Sequence, residues 1–143
     1  MTKDKIEIFF LRIDKLTLQH KALFGKMNVH QMICHCADQF RLAFGEKKAR
    51  EYGRVDPNEI IALARSGKTA PTPKGFDQVE GEGTKPIDFN EDKETLKKYI
   101  IKFSELPADY KFSTHPYFGD VDRKWWESLV NYHLDHHLRQ FGV

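Results

Sequence analysis

The sequence predicts an all-α fold, a four-helix bundle running up-down-down-up, and three observations carry that prediction. Apolar residues recur at helical spacing in four separated segments, and the clearest of these begin at side chains suited to capping a helix. The connection between the second and third segments is also far longer than neighbouring antiparallel helices need.

The first helix is expected across residues 3–18, where Ile6, Phe9, Phe10, Ile13 and Leu16 share one face. The second has the clearest start. Asn28 is a good N-cap, Gln31 stands where a capping box needs its partner, and Met27 and Met32 occupy the two staple positions. Val29, Met32, Ile33, Cys36, Phe40 and Ala43 then form an apolar stripe, and Gly45 offers a stop, so the helix is placed at 29–44. A third begins after Asn90 and carries Leu96, Tyr99, Ile100 and Phe103 until "LPADY" breaks it. The last is capped by Asp122 and stopped by Gly142, with Trp126, Leu129, Val130, Leu134 and Phe141 on one face.

Roughly 45 residues separate the second and third helices, where adjacent antiparallel helices use about 2 to 8. This crossover holds a short helix from Pro57, capped by Asp56 with Glu59 completing the box, and then the loop-like "SGKTAPTPKGFDQVEGEGTKP". Such a length can run back along the bundle, which lets helices 2 and 3 point the same way.

The chain of 143 residues fits one domain, residues 1–143, with room for a sizeable core. Its 40% hydrophobic and 31% charged residues are ordinary for a soluble globular protein. A net charge of +2, with lysines scattered among acidic residues, argues against nucleic acid or a membrane surface as partner. No apolar stretch approaches a membrane span, and "MTKDKIEIFF" lacks the features of a secretory signal, so a cytoplasmic location is expected. Cys34 and Cys36 are two apart on one helix and point away from each other, which makes them buried reduced thiols rather than a disulfide.

The functional question centres on "NYHLDHHLRQFG", residues 131–142. With His133 as the origin of a helical wheel, His137 lies at about 40°, Trp126 at about 20° and Val130 at about 60°, so both histidines sit on the buried face. An i, i+4 pair of this kind presents two imidazoles to one metal ion. His136 falls on the edge of that face and Asp135 outside it. The zincin protease motif is excluded, because Leu134 stands where its glutamate belongs and His136 where the inverted motif needs its acid.

A third ligand is available in His35, which borders the apolar face of helix 2. At about 1.5 Å per residue, His35 is level with the pair only if helices 2 and 4 run antiparallel. That topology requires a long crossover between helices 2 and 3, and the chain has one. The same geometry places His115 at the opposite end of the bundle unless its loop folds back, and leaves His20 and His30 as exposed residues near the mouth. His136 is the substitute ligand or supporting partner. Gln140, at about 340°, faces inward and is suited to orienting a ligand or capping the helix end. Asp38, one turn beyond His35, could accept the second ring proton of a ligand histidine, with a solvated helix position as the plainer alternative. Trp126 reads as core and Trp125 as packing under a loop or at a subunit contact, while Arg41 and Arg139 suit carboxylates or an anionic substrate. The mouth is expected to be framed by residues 19–27, 80–90 and the C-terminal residues.

The segments "GKMNVHQMICHCADQFRLAFGE" and "HPYFGDVDRKWWESLVNYHLDHHLRQFG" resemble the DinB-like superfamily of metal-binding helical bundles, most closely a subfamily of unassigned function. The resemblance covers essentially the whole chain. It implies an up-down-down-up bundle, frequently a homodimer, holding a divalent metal on His35, His133 and His137. Better characterised branches are low-molecular-weight thiol transferases and a thiol-dependent maleylpyruvate isomerase. The expected function is therefore a metal- and thiol-dependent transferase acting on a small electrophile. A metal-water hydrolase and a non-catalytic metal-binding or structural dimer are the alternatives. Zinc is the default metal, and three nitrogen ligands with open positions would also accept nickel or iron.

Overall fold

A computed structural model describes residues 1–143 as five helices without strands: α1 (Lys3–Lys15), α2 (Val29–Ala43), α3 (Pro57–Arg65), α4 (Phe89–Ser104) and α5 (Arg123–Gln140). The start signals operate as local chemistry. Asn28 accepts from the Gln31 backbone N–H while the Gln31 side chain accepts from the Asn28 N–H, closing both halves of the box. Asp56 and Asp122 accept from Asn58 and Trp125 in the same role.

Two boundaries differ from expectation. Helix α1 stops at Lys15 rather than 18, with Leu16 already extended at ψ 134°. There the chain turns so that the Thr17 N–H donates to His20 Nδ1 at 3.0 Å, and Lys93 donates to the Leu16 carbonyl at 3.1 Å. These bonds satisfy the helix end without another turn. Helix α4 starts at Phe89, because Asp88 rather than Asn90 supplies the cap and accepts from Glu91 at 2.9 Å.

Helices α1 and α2 each pack against both α4 and α5. Along α1, Phe10 and Asp14 meet Lys97, and Leu16 meets Lys93. Met1 pairs with Glu127 and Arg12 with Asp135 of α5. Along α2, His30 meets Asp92 and Phe40 packs on Tyr99 and Phe103 of α4. Between these helices Ile13, Met32, Ile33, Phe40, Leu96, Ile100, Trp126 and Leu138 are fully withdrawn from solvent. Each large apolar side chain so buried contributes about 1.5–3 kcal/mol. Aromatic edges extend this core toward the α4–α5 connection, through Phe103 on Phe112 at 5.6 Å and Phe112 on Trp126 at 5.7 Å.

The crossover is pinned to α2 by a residue expected to face water. Asp38 is 0% exposed, and its carboxylate accepts from Arg41 at 2.9 Å, from the Thr84 backbone N–H at 2.8 Å and from the Thr84 hydroxyl. Gln78 adds a bond to the Thr84 carbonyl at 2.7 Å, and Phe76 is buried nearby. The carboxylate is stable there because charge-assisted bonds replace the water it loses. No helix is long and apolar enough to cross a membrane.

Candidate metal centre

Helix α2 contributes His35 and helix α5 contributes His133 and His137, and their Nε2 atoms converge. His35 Nε2 lies 2.9 Å from His133 Nε2 and 3.1 Å from His137 Nε2. Tetrahedral zinc with Zn–N bonds of about 2.0–2.1 Å separates neighbouring ligand nitrogens by about 3.3 Å. The two separations are slightly shorter than this and close enough for the three rings to hold one ion.

One tautomer is fixed by the surroundings. Gln140 is 3% exposed, and its amide nitrogen donates to the Phe24 carbonyl at 2.8 Å, so its oxygen is the atom 2.7 Å from His137 Nδ1. His137 therefore carries its proton on Nδ1 and presents a lone pair at Nε2, toward His35. Gly25 lies close against this amide: a Cβ there, where φ is +80°, would come within 2.6 Å of the Gln140 amide nitrogen. Of the residues singled out as ligand supports, Gln140 holds a ligand ring. Asp38 does not, because Arg41 and Thr84 occupy its oxygens. His136 stands beside the three, its ring 5.0 Å from that of His137 and stacked on Tyr132 at 5.7 Å.

Burial disfavours the charged form of each ring. His35 is pushed down to about 4, while His133 and His137 fall well below the ordinary histidine value, with the neighbouring imidazoles adding to the effect. At neutral pH the three rings are uncharged, the state in which they can coordinate a cation. A proton on His35 Nε2 can be directed at only one of its two neighbours, so it leaves the other close approach without a hydrogen bond. The His133 Nδ1 is buried without a partner.

The three rings form part of the wall of a cavity of about 580 Å³. Ile60, Phe76, Trp125, Leu129 and Tyr132 give it a largely apolar lining, and Lys26, Arg65, Asp77 and Glu80 bring charges of both signs to it. The crossover contributes Ile60 through Glu80, upstream of the 80–90 stretch expected at the mouth, because Thr84 is held against Asp38 instead. From the first loop only Gly25, Lys26 and Met27 reach the lining.

The loop before α5 does fold back, and His115 lines the same cavity. A short bridge between His115 and Gly119 closes that loop, with Gly119 at φ +72°. The only sequence signal was the turn-forming "HPYFGD", which marks a tight loop but not its direction. Trp125 packs edge-on against Phe118 of this loop at 5.5 Å, and Trp126 is fully buried.

The remaining candidates are tied to the scaffold. His30, expected to be exposed, is half-buried and bonds Asp92 at 2.7 Å, with the buried Cys34 thiol beside the same carboxylate. Burial and Asp92 push that thiol up to about 12, leaving it protonated, and both cysteines are free. Arg41 lies over the Tyr99 ring at 5.1 Å, and Arg139 pairs with Asp135.

A family model described as "Protein of unknown function (DUF1569)" matches residues 4–142. No curated protein and no solved structure matches the chain.

Proposed function

The chain belongs to the DUF1569 family, of unknown function, so its role has to be read from the site, and we propose a metal- and thiol-dependent transferase acting on a small electrophile. The single observation that carries this reading is the convergence of the His35, His133 and His137 Nε2 atoms on the wall of the cavity. The donor set fits a divalent metal: three neutral imidazoles, one with its tautomer fixed by Gln140, leave a fourth position toward the cavity. Zinc suits these ligands best, with nickel and iron as the other candidates.

A divalent cation held there supplies Lewis acidity, favouring a thiol as its thiolate or lowering the pKa of water at neutral pH. Everything else is done by the chain. His35, His133 and His137 fix where that chemistry takes place, and Gln140 keeps the His137 ring oriented. The apolar walls exclude water from an electrophile beside them.

The proposal includes an up-down-down-up bundle of the DinB-like group. Its support is the order of side-chain pairs. Advancing along α1 from Phe10 to Leu16 means moving backward along α4 from Lys97 to Lys93, whereas advancing from Met1 to Arg12 means moving forward along α5 from Glu127 to Asp135. Advancing along α2 from His30 to Phe40 moves forward along α4 from Asp92 to Phe103.

Metal analysis of protein purified without an affinity tag, beside His35→Ala and His133→Ala, tests the centre. One metal per chain is expected in the parent and none in the variants, and equal, negligible metal in all three refutes it. The loaded protein is then assayed with a thiol panel and an electrophile. Turnover that requires thiol supports the transferase, and turnover without thiol replaces it with a hydrolase.

A further inference from the structure

His115 is 4% exposed, lines the cavity that holds the three histidines, and lies outside the ligand set. Its Nδ1 faces two backbone donors, the N–H of Tyr117 at 3.0 Å and that of Phe118 at 3.3 Å. A nitrogen that accepts from two N–H groups cannot carry a proton itself. The neutral ring therefore has its hydrogen on Nε2, and no protein group accepts it.

Charge does not interfere with this assignment. Burial holds His115 down to about 4, so the ring is uncharged at neutral pH. The bonds that fix the tautomer belong to a loop that is itself closed by the paired His115 and Gly119 backbones, both at 2.9 Å, and by a Thr114–Asp120 side-chain bond. The ring also rests on Trp126 at 5.4 Å and Phe118 at 4.8 Å, so its plane is held. The cavity is thus bordered by an oriented, uncharged imidazole whose N–H has no protein acceptor, in a wall that Ile60, Phe76, Trp125 and Leu129 make largely apolar.

We propose that His115 is a ligand-binding residue that donates from Nε2 to an oxygen of the cavity's ligand, which makes that ligand a carbonyl compound with an apolar body. An uncharged donor in a dry wall polarises a carbonyl without demanding a counter-charge, and an apolar molecule lacking an acceptor would leave the N–H unpaired. The inference rests on the cavity being the substrate site of the proposed transferase, and it names the electrophile as a carbonyl compound. It requires no metal for binding.

The probes are acetophenone and ethylbenzene, which share a shape and differ in the carbonyl oxygen. Binding to metal-free and zinc-loaded protein is measured by ligand-observed NMR, and the carbonyl stretch of bound acetophenone by infrared difference spectroscopy. Imidazole nitrogen NMR reports the tautomer directly. His115→Asn places its amide oxygen near the old Nδ1, keeping the turn, but withdraws the donor from the cavity. His115→Gln reaches toward the old Nε2 and restores a donor.

The expected result is a preference for acetophenone of about 3- to 10-fold in the parent, with the carbonyl stretch lowered in metal-free protein. His115→Asn removes both effects while the fold and metal content persist, and His115→Gln recovers part of each. Equal binding of the two probes, no binding of either, a protonated Nδ1, or a His115→Asn variant that keeps the preference overturns the inference. Metal content is read separately, so loss of metal in the parent refutes the proposed centre without touching this result.

Discussion

Removing the Gln140 side-chain oxygen should weaken metal binding without dismantling the fold. In Gln140→Leu the Nδ1–H of His137 loses the acceptor 2.7 Å away, and the Phe24 carbonyl loses the donor at 2.8 Å. Two consequences are separable. Loss of the partner that orients a ligand histidine typically lowers metal affinity about 10- to 100-fold, which at about 1.4 kcal/mol per decade is about 1.4–2.7 kcal/mol. Loss of the Phe24 bond instead lowers the stability of the metal-free protein, by about 1 kcal/mol. Competition against a chromogenic zinc chelator measures the first, and urea unfolding of metal-free protein the second. Gln140→Glu retains an acceptor for His137 while losing the donor to Phe24, so it should keep most of the zinc affinity and show the stability loss. An unaltered zinc affinity in a folded Gln140→Leu variant would refute the claim that this amide orients the ring.

Three further outcomes follow from the same geometry. Gly25→Ala, which forces a φ of +80° on a side chain and sets Cβ against the Gln140 amide, should destabilise the protein by about 1–2 kcal/mol and lower zinc affinity in the same titration. Asp38→Ala should cost about 2–3 kcal/mol in urea unfolding, since it leaves Arg41 and the Thr84 N–H without their partner; a change below about 0.5 kcal/mol would mean that the crossover is not held there. The buried His115 has its pKa lowered to about 4 against about 6.5 unfolded, so the unfolded chain binds the extra proton first as pH falls. Its contribution is complete above about pH 6.5 and is lost on descending to about pH 4, amounting to about 3 kcal/mol. The stability difference between metal-free parent and His115→Asn should move by that amount over this window, and a constant difference would exclude a buried neutral ring.

The helices were legible because each has an apolar stripe and, for α2, a reciprocal cap, which are local signals. The juxtaposition of His35 with His133 and His137 was legible for a different reason: helix rise sets heights along each helix, and a crossover of this length permits the direction that brings them level. What could not be read depended on partners without periodicity. Asp38 looks like a surface residue because its hydrogen-bonding partner, Thr84, lies in a Gly- and Pro-rich stretch that carries no register. The end of α1 was overextended because Leu16 continues the apolar stripe even though the backbone has already left the helix. His115 was placed at the far end because the loop's course depends on bonds within "HPYFG", from the Tyr117 and Phe118 N–H groups to His115 Nδ1 and between the His115 and Gly119 backbones, which spacing does not encode.

The clamp between Asp38 and Thr84 divides the molecule's tasks. The three clustered histidines stand on two long helices whose positions are set by the core, whereas the segment from Ile60 to Glu80 that borders the cavity lies between α2 and the Thr84 anchor. The histidine cluster and the cavity border are thus built from separate parts of the chain. Exchanging the bordering segment between relatives, with Asp38 and Thr84 retained, would alter which molecules are admitted while the histidine cluster stayed as it was.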